Sequence, residues 1–125
     1  MKKIFLSIIY IFFASTLLFA NPGKDIFDKF CMVCHSPSMA PMFNAPAAHD
    51  INAWNDRKLD ALNKAIEVKS SIKNLNKIEK EEISIDALVR SAISGTDKGM
   101  PPKGTCGDCS DNDLKSVIIF MSSSN

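Results

Sequence analysis

Two cysteines and a histidine form the most informative pattern in this chain, because Cys31, Cys34 and His35 are arranged as C-x-x-C-H. This spacing is the motif through which haem is attached covalently to a polypeptide. On a helix, positions i, i+3 and i+4 lie on one face. Both thiols could therefore form thioethers with one porphyrin while the imidazole of His35 reaches its iron.

Met100 offers a second ligand for the same iron. It stands in the segment 99–104, GMPPKG, where proline prevents regular helix, so helix-core packing does not explain it. A weak thioether ligand needs a stiff frame, and a His/Met pair raises the reduction potential as electron-transferring haem proteins require. The competing methionines lie between the two cysteines, soon after the histidine or in an amphipathic segment: Met32, Met39, Met42 and Met121.

The first twenty residues have the pattern of an export signal. Lys2 and Lys3 precede an apolar stretch at 4–19, and Ala20 stands before a polar, turn-forming segment. Residues 1–20 are therefore predicted to be a signal peptide. The alternative is an uncleaved membrane anchor, because the apolar run approaches the length that spans a bilayer. Either form predicts export to the periplasm, with a tie to the inner membrane only if the segment is retained.

A second C-x-x-C, formed by Cys106 and Cys109, precedes a serine and so lacks the histidine of a haem site. With the first pair it could form a Cys₄ zinc site, although the long separation from Cys34 is unlike that of compact zinc modules. A thioredoxin-like dithiol is disfavoured because no βαβ pattern surrounds the pair. In an exported protein the default state of such a pair is a disulfide.

The remaining residues, 21–125, suffice for one small domain. The whole chain has 15 basic and 14 acidic residues, and removal of Lys2 and Lys3 would leave it near neutral. This composition gives no basic patch for nucleic-acid binding, so no nucleic-acid partner is expected.

Apolar spacing predicts an all-α fold without strands. A first helix leads into the haem motif, and its Phe27 and Phe30 are expected to meet Phe120 of the last helix in the core. Residues 36–53 are predicted to form a loop because they contain three prolines. Further helices are predicted at about 56–66, 67–85 and 86–93, the last ending at Gly95, and from Ser110 to Met121 with a variant capping box.

The residues above resemble those of class I c-type cytochromes, and in particular of the bacterial cytochrome c5 subfamily. The resemblance rests on the C-x-x-C-H at 31–35 and on the run MPPKGTCGDCSD at 100–111. It implies a small helical domain wrapped around one covalently attached haem c. It also implies that Met100 is the sixth iron ligand and that Cys106 and Cys109 form a disulfide.

The same resemblance suggests a haem environment for Pro46 and Trp54. Pro46 would place its carbonyl near the ring N–H of His35, as partners of a ligating histidine do, although Pro41 competes for this role. Trp54 would either pack beside the haem or donate its indole N–H to a haem propionate. His49 stands where the family tends to have glycine, and it is interpreted as a solvated loop residue rather than an iron ligand.

The segment around 58–85 is interpreted as an extra helical insertion relative to the family. Lysine and glutamate alternate along it, which is more typical of a solvated helix face than of a docking surface for a redox partner.

Together these features predict a periplasmic monohaem electron carrier of a respiratory chain, not an enzyme, in which His35 and Met100 bind the iron. The expected partners are a quinol-oxidising membrane complex and a terminal oxidase or reductase, met in small transient contacts. The alternative is a haem enzyme or ligand sensor in which Met100 is displaced.

Overall fold

The computed structural model describes residues 21–124, and all regular secondary structure in this range is helical. Four turns of other helical types connect or interrupt the α-helices: a π-helical turn at Phe27–Cys31 and 3₁₀ turns at Ala40–Phe43, Ser70–Asn74 and Pro102–Thr105. The α-helices are α1 Pro22–Ile26, α2 Met32–His35, α3 Ile51–Val68, α4 Lys77–Ser94 and α5 Asp111–Ser122. The predicted all-α class is confirmed.

The N-terminal part of the fold crosses α5 at close range. Gly23 is buried there, and a Cβ at this position would overlap the carbonyl of Ser116 and approach Phe120 Cβ to 2.9 Å. The ring centroids of Phe27 and Phe120 lie 5.5 Å apart, as expected from the sequence. The expectation for Phe30 was wrong, because this residue is 39% exposed. Phe30 lies within the π-helical turn Phe27–Cys31, which does not follow the regular α-helical spacing on which this expectation was based.

Helices α3 and α4 form an antiparallel hairpin whose boundaries differ from the predicted ones. Helix α3 begins at Ile51, earlier than expected, because the Asp50 side chain caps it by accepting from the N–H of Ala53. The chain turns extended at Lys69, so no helix runs through 67–85. Helix α4 starts at Lys77 behind an Asn76–Glu79 capping box. It continues to Ser94 and so includes parts of two segments that were expected to be separate helices.

The hydrophobic core lies where α4 and α5 meet the N-terminal turn and Trp54 of α3. Between α4 and α5, Lys115 forms a 2.8 Å ion pair with Asp86 at the surface. The buried members from the two long C-terminal elements are Ile85, Val89, Ala92, Leu114, Val117, Ile118 and Met121.

The start of α5 agrees with the prediction from the sequence. The Ser110 side chain accepts from the N–H of Asp113, and the Asp113 carboxylate accepts from the N–H of Ser110, which completes the predicted capping box.

The predicted signal peptide at residues 1–20 lies outside the described residues. Within residues 21–124, no helix combines the length and the apolar character needed to cross a membrane.

Candidate functional site

Two hydrogen bonds join His35 to the loop that follows it. His35 ends α2 and is 8% exposed. Its Nδ1 lies 2.8 Å from the carbonyl oxygen of Pro46, and its own carbonyl accepts from the N–H of Ala48 at 2.7 Å. A carbonyl can only accept, so Nδ1 carries the proton and Nε2 keeps the lone pair that binds a metal.

The charge state of His35 also suits a metal ligand. Burial lowers the pKa of His35, the hydrogen bond to Pro46 opposes this shift, and the positive charge of Arg57 adds to it. The net pKa lies below the ordinary 6.5, so the imidazole is neutral at neutral pH.

Pro46, rather than Pro41, lies against His35. Pro41 belongs to the 3₁₀ turn Ala40–Phe43, where its carbonyl accepts from the N–H of Asn44 at 3.4 Å. The first half of the loop after His35 thus forms a local turn, and only its second half contacts His35.

Trp54 supports the loop segment that contacts His35. It is 4% exposed, and its ring stacks on that of His35 with centroids 5.9 Å apart and planes 24° apart. Its indole N–H donates to the carbonyl of Ala47 at 2.9 Å. This donor is therefore engaged within the protein, which favours the packing role over the bond to a haem propionate.

Cys31 and Cys34 carry free, half-buried thiols. Cys31 ends the π-helical turn, whereas Cys34 and His35 belong to α2. No feature of the sequence predicts this π-helical turn, although such turns are frequent at functional sites. Burial, and secondarily the neighbouring Cys34, raises the pKa of Cys31 to about 11. Before attachment of haem this thiol is therefore protonated at neutral pH.

Met100 is presented by a closed turn. The N–H of Thr96 donates to the carbonyl of Met100 at 2.9 Å, and the Thr96 hydroxyl accepts from the N–H of Met100 at 3.3 Å. Gly95, with φ +76°, starts this turn, and a Cβ there would lie 2.8 Å from the Met100 carbonyl. The side chain of Met100 is half-buried against the hydrophobic core.

Cys106 and Cys109 are bonded as a disulfide in the structure, with Cα atoms 5.4 Å apart, and both are buried. Cysteines in a disulfide are not thiolate ligands, so this pair cannot supply half of a zinc site. In the described part of the chain, no three histidine, cysteine or carboxylate side chains come together as metal ligands would.

His49 is not the solvated residue that the sequence suggested. It lies half-buried with φ +66°, and its ring stands edge-on to Phe120 at 4.8 Å. Its Nδ1 bonds to the carbonyl of Ser123 at 2.8 Å, and its backbone N–H donates to Met121. His49 thus ties the loop to the end of α5, a role visible only once the two segments are in contact.

The donor set of this site fits a covalently attached haem. Two free thiols stand beside a neutral imidazole, and the thioether of Met100 borders the same hydrophobic core as Cys31. His35 joins this group through its contact with Trp54, a core residue. Residues far apart in sequence therefore surround one apolar region.

Comparison with known proteins agrees with this chemistry. The family described as cytochrome c oxidase, cbb3-type, subunit III matches residues 19–121. Cytochrome c5 of Azotobacter vinelandii is 35% identical over 103 residues, which cover 82% of this chain and 94% of that protein. Cytochrome c5 of Ectopseudomonas mendocina is 33% identical over 103 residues, covering 82% and 90%. The chain belongs to the class I c-type cytochromes of the cytochrome c5 subfamily, which are electron-transfer proteins with a covalently bound haem c and not enzymes.

Proposed function

We propose that this cytochrome is a periplasmic monohaem electron carrier of a respiratory chain, with His35 and Met100 as the axial ligands of its iron. The observation that supports this most directly is the 2.8 Å bond between His35 Nδ1 and the Pro46 carbonyl. It fixes the tautomer and the ring rotation that a permanent proximal ligand needs. Cys31 and Cys34 are the proposed thioether positions.

The frame around Met100 supports a permanent sixth ligand. Two hydrogen bonds to Thr96 close the turn before Met100, and Pro101 and Pro102 restrict the backbone after it. The bound haem iron supplies a one-electron couple, whose potential a thioether ligand raises. A stiff turn keeps the Met100 side chain in one place, so little rearrangement accompanies electron transfer.

The N-terminal pattern supports export. We propose that residues 1–20 are a signal peptide and that residues 21–125 are the electron carrier, with 58–85 as a helical insertion. Partners would be a quinol-oxidising complex and a terminal oxidase or reductase. N-terminal sequencing of the protein from a periplasmic fraction tests the cleavage, and a chain beginning at Asn21 is the expected result. Recovery only from membranes with Met1 at its start would contradict it.

The ferric absorption spectrum of the purified haem-loaded protein tests the ligation. The wild type should be low-spin and show the weak red absorption of iron–thioether bonding. Met100→Ala should lose this absorption, and its reduction potential should fall. Met42→Ala is the matched control, because Met42 is 75% exposed in the loop after His35, and it should leave the spectrum unchanged.

A different outcome would favour a haem enzyme or ligand sensor. In that case the wild type would be high-spin or would bind cyanide or carbon monoxide rapidly. Retention of the red absorption in Met100→Ala would instead mean that another methionine is the ligand.

A further inference from the structure

Two hydrogen bonds of its side chain join Lys103 to the disulfide loop. The ammonium group donates to the carbonyl oxygens of Cys109 at 2.8 Å and Gly107 at 3.3 Å. Lys103 is half-buried, although lysines in such loops usually extend their charge into water. Both acceptors belong to the four-residue ring that the Cys106–Cys109 disulfide closes. Lys103 therefore bridges the turn after Met100 and this ring.

The backbone at Lys103 adopts a left-handed conformation that surrounding contacts must stabilise. Lys103, Gly104 and Thr105 follow one another with φ of +55°, +58° and +72°. Non-glycine residues rarely adopt this left-handed region and remain there only where other contacts determine the conformation. Those contacts include the bond from the N–H of Cys106 to the Lys103 carbonyl at 3.0 Å, next to the bonds of the ammonium group.

This left-handed turn lies beside the side chain of Met100. The methyl carbon of Met100 lies 3.6 Å from the place where a Cβ at Gly104 would stand, which is ordinary van der Waals contact. The turn is closed by the N–H of Gly104, which donates to Pro101 at 2.9 Å. A shift of the turn would therefore change the space available to the Met100 methyl group.

We propose that Lys103 is a positioning residue for Met100. By bonding to the carbonyls of the disulfide ring, its ammonium group holds the turn beside Met100 against that ring and so restricts where the Met100 side chain can lie. The inference rests on the proposed function, since it takes Met100 to be an iron ligand. In this role Lys103 acts through the turn and not by contact with the haem iron.

Displacement of Met100 by imidazole measures this effect in the purified ferric holoprotein. The apparent affinity for imidazole rises with the fraction of molecules in which the thioether is off the iron. Lys103→Met keeps the stem and removes the donors, and we expect about tenfold tighter apparent binding, the order of one charge-assisted hydrogen bond. The reduction potential should fall with it. Lys103→Arg restores charge and donors and should recover most of the resistance to imidazole.

Lys98→Met is the matched control. Lys98 is an exposed lysine in the same loop, and its loss changes the net charge equally. It should leave the imidazole affinity at the wild-type value. If Lys103→Met behaves as Lys98→Met does, the positioning role is wrong. If Lys103→Met does not fold, Lys103→Ala, which also lacks side-chain donors, takes its place with the same criteria.

A double-mutant cycle with the disulfide makes the test specific. In a Cys106→Ser, Cys109→Ser background the covalent ring is absent. Lys103→Met should then tighten the apparent imidazole binding by no more than about twofold. An equal factor in both backgrounds would overturn the inference while leaving the ligation of Met100 intact. A wild type without the iron–thioether absorption would instead overturn the proposed ligation and this inference together.

Discussion

The Nδ1 atom of His35 lies 2.8 Å from the carbonyl oxygen of Pro46, eleven residues further along the chain. The same short segment binds His35 again through the N–H of Ala48 and is itself held by the indole of Trp54. The orientation of the imidazole thus depends on residues 46–48 as much as on the helix that carries it. In c-type cytochromes such an outer partner fixes which nitrogen can bind the iron.

The bond from Trp54 to Ala47 can be tested by Trp54→Phe. This variant keeps an aromatic ring against His35 but removes the indole donor, so the Ala47 carbonyl keeps only the longer bond from the N–H of Asp50 at 3.2 Å. We expect a loss of about 0.5–1.5 kcal/mol in the free energy of unfolding, the usual net contribution of one hydrogen bond. Urea denaturation measures it. Stability equal to that of the wild type would mean that water replaces the indole at this carbonyl.

Gly95→Ala should disturb the turn that presents Met100. Gly95 has φ +76°, and the added Cβ would lie 2.8 Å from the Met100 carbonyl and 3.0 Å from the nitrogen of Pro102. Strain of this kind costs about 1–3 kcal/mol, and the iron–thioether absorption should weaken as well. Gly99→Ala is the control, because Gly99 also has positive φ but no atom within 4 Å of the added Cβ. A spectrum affected equally by both variants would assign the effect to φ alone.

Gly23→Ala should destabilise the crossing of α1 and α5. Alanine is the better helix former by about 1 kcal/mol, yet its Cβ would overlap the backbone carbonyl of Ser116. Because a backbone atom cannot yield as a side chain does, we expect overpacking to cost about 1–3 kcal/mol. Thermal unfolding compares it with Gly107→Ala, where the space is open and φ is not positive. A rise in the melting temperature of Gly23→Ala would contradict this packing.

Removal of the disulfide by Cys106→Ser with Cys109→Ser should lower stability modestly. The ring spans only four residues, so the loop-entropy estimate is about 2 kcal/mol, at the low end for disulfides. Denaturation of oxidised wild type and the double variant gives the difference. A loss well above this value would indicate that the two buried sulfur atoms also contribute packing.

The capping box of α5 predicts a dependence of stability on acid pH. The hydroxyl of Ser110, and then its backbone N–H, lower the pKa of Asp113 from the ordinary 3.8. Because the folded-state pKa is the lower one, the stabilisation is present above about pH 4 and is lost as the pH falls through the depressed pKa. Asp113→Asn should therefore lose less stability than the wild type as the pH falls from about 5 to about 3. Urea titrations at both pH values measure it, and parallel losses would exclude this contribution.

Local signals predicted several elements correctly. Ser110 and Asp113 marked the start of α5, and Gly95 marked the end of α4, because caps depend on residues within one turn. The predicted start of α3 is too late, and the helix predicted to pass through Lys69 is interrupted there. Asp50 and Asn76 begin the two hairpin helices, and neither was recognised as a cap.

The sequence by itself determined the chemistry of this protein, because C-x-x-C-H, a methionine among prolines and a second cysteine pair are covalent or local features. They led to the family before any contact was known. The tertiary structure alone decided which carbonyl holds His35, that Gly23 must lack a side chain, and that His49 fastens a loop to α5. It also decided that Lys103 reaches the disulfide ring. Such contacts depend on how separate segments meet in space, which residue type and spacing do not specify.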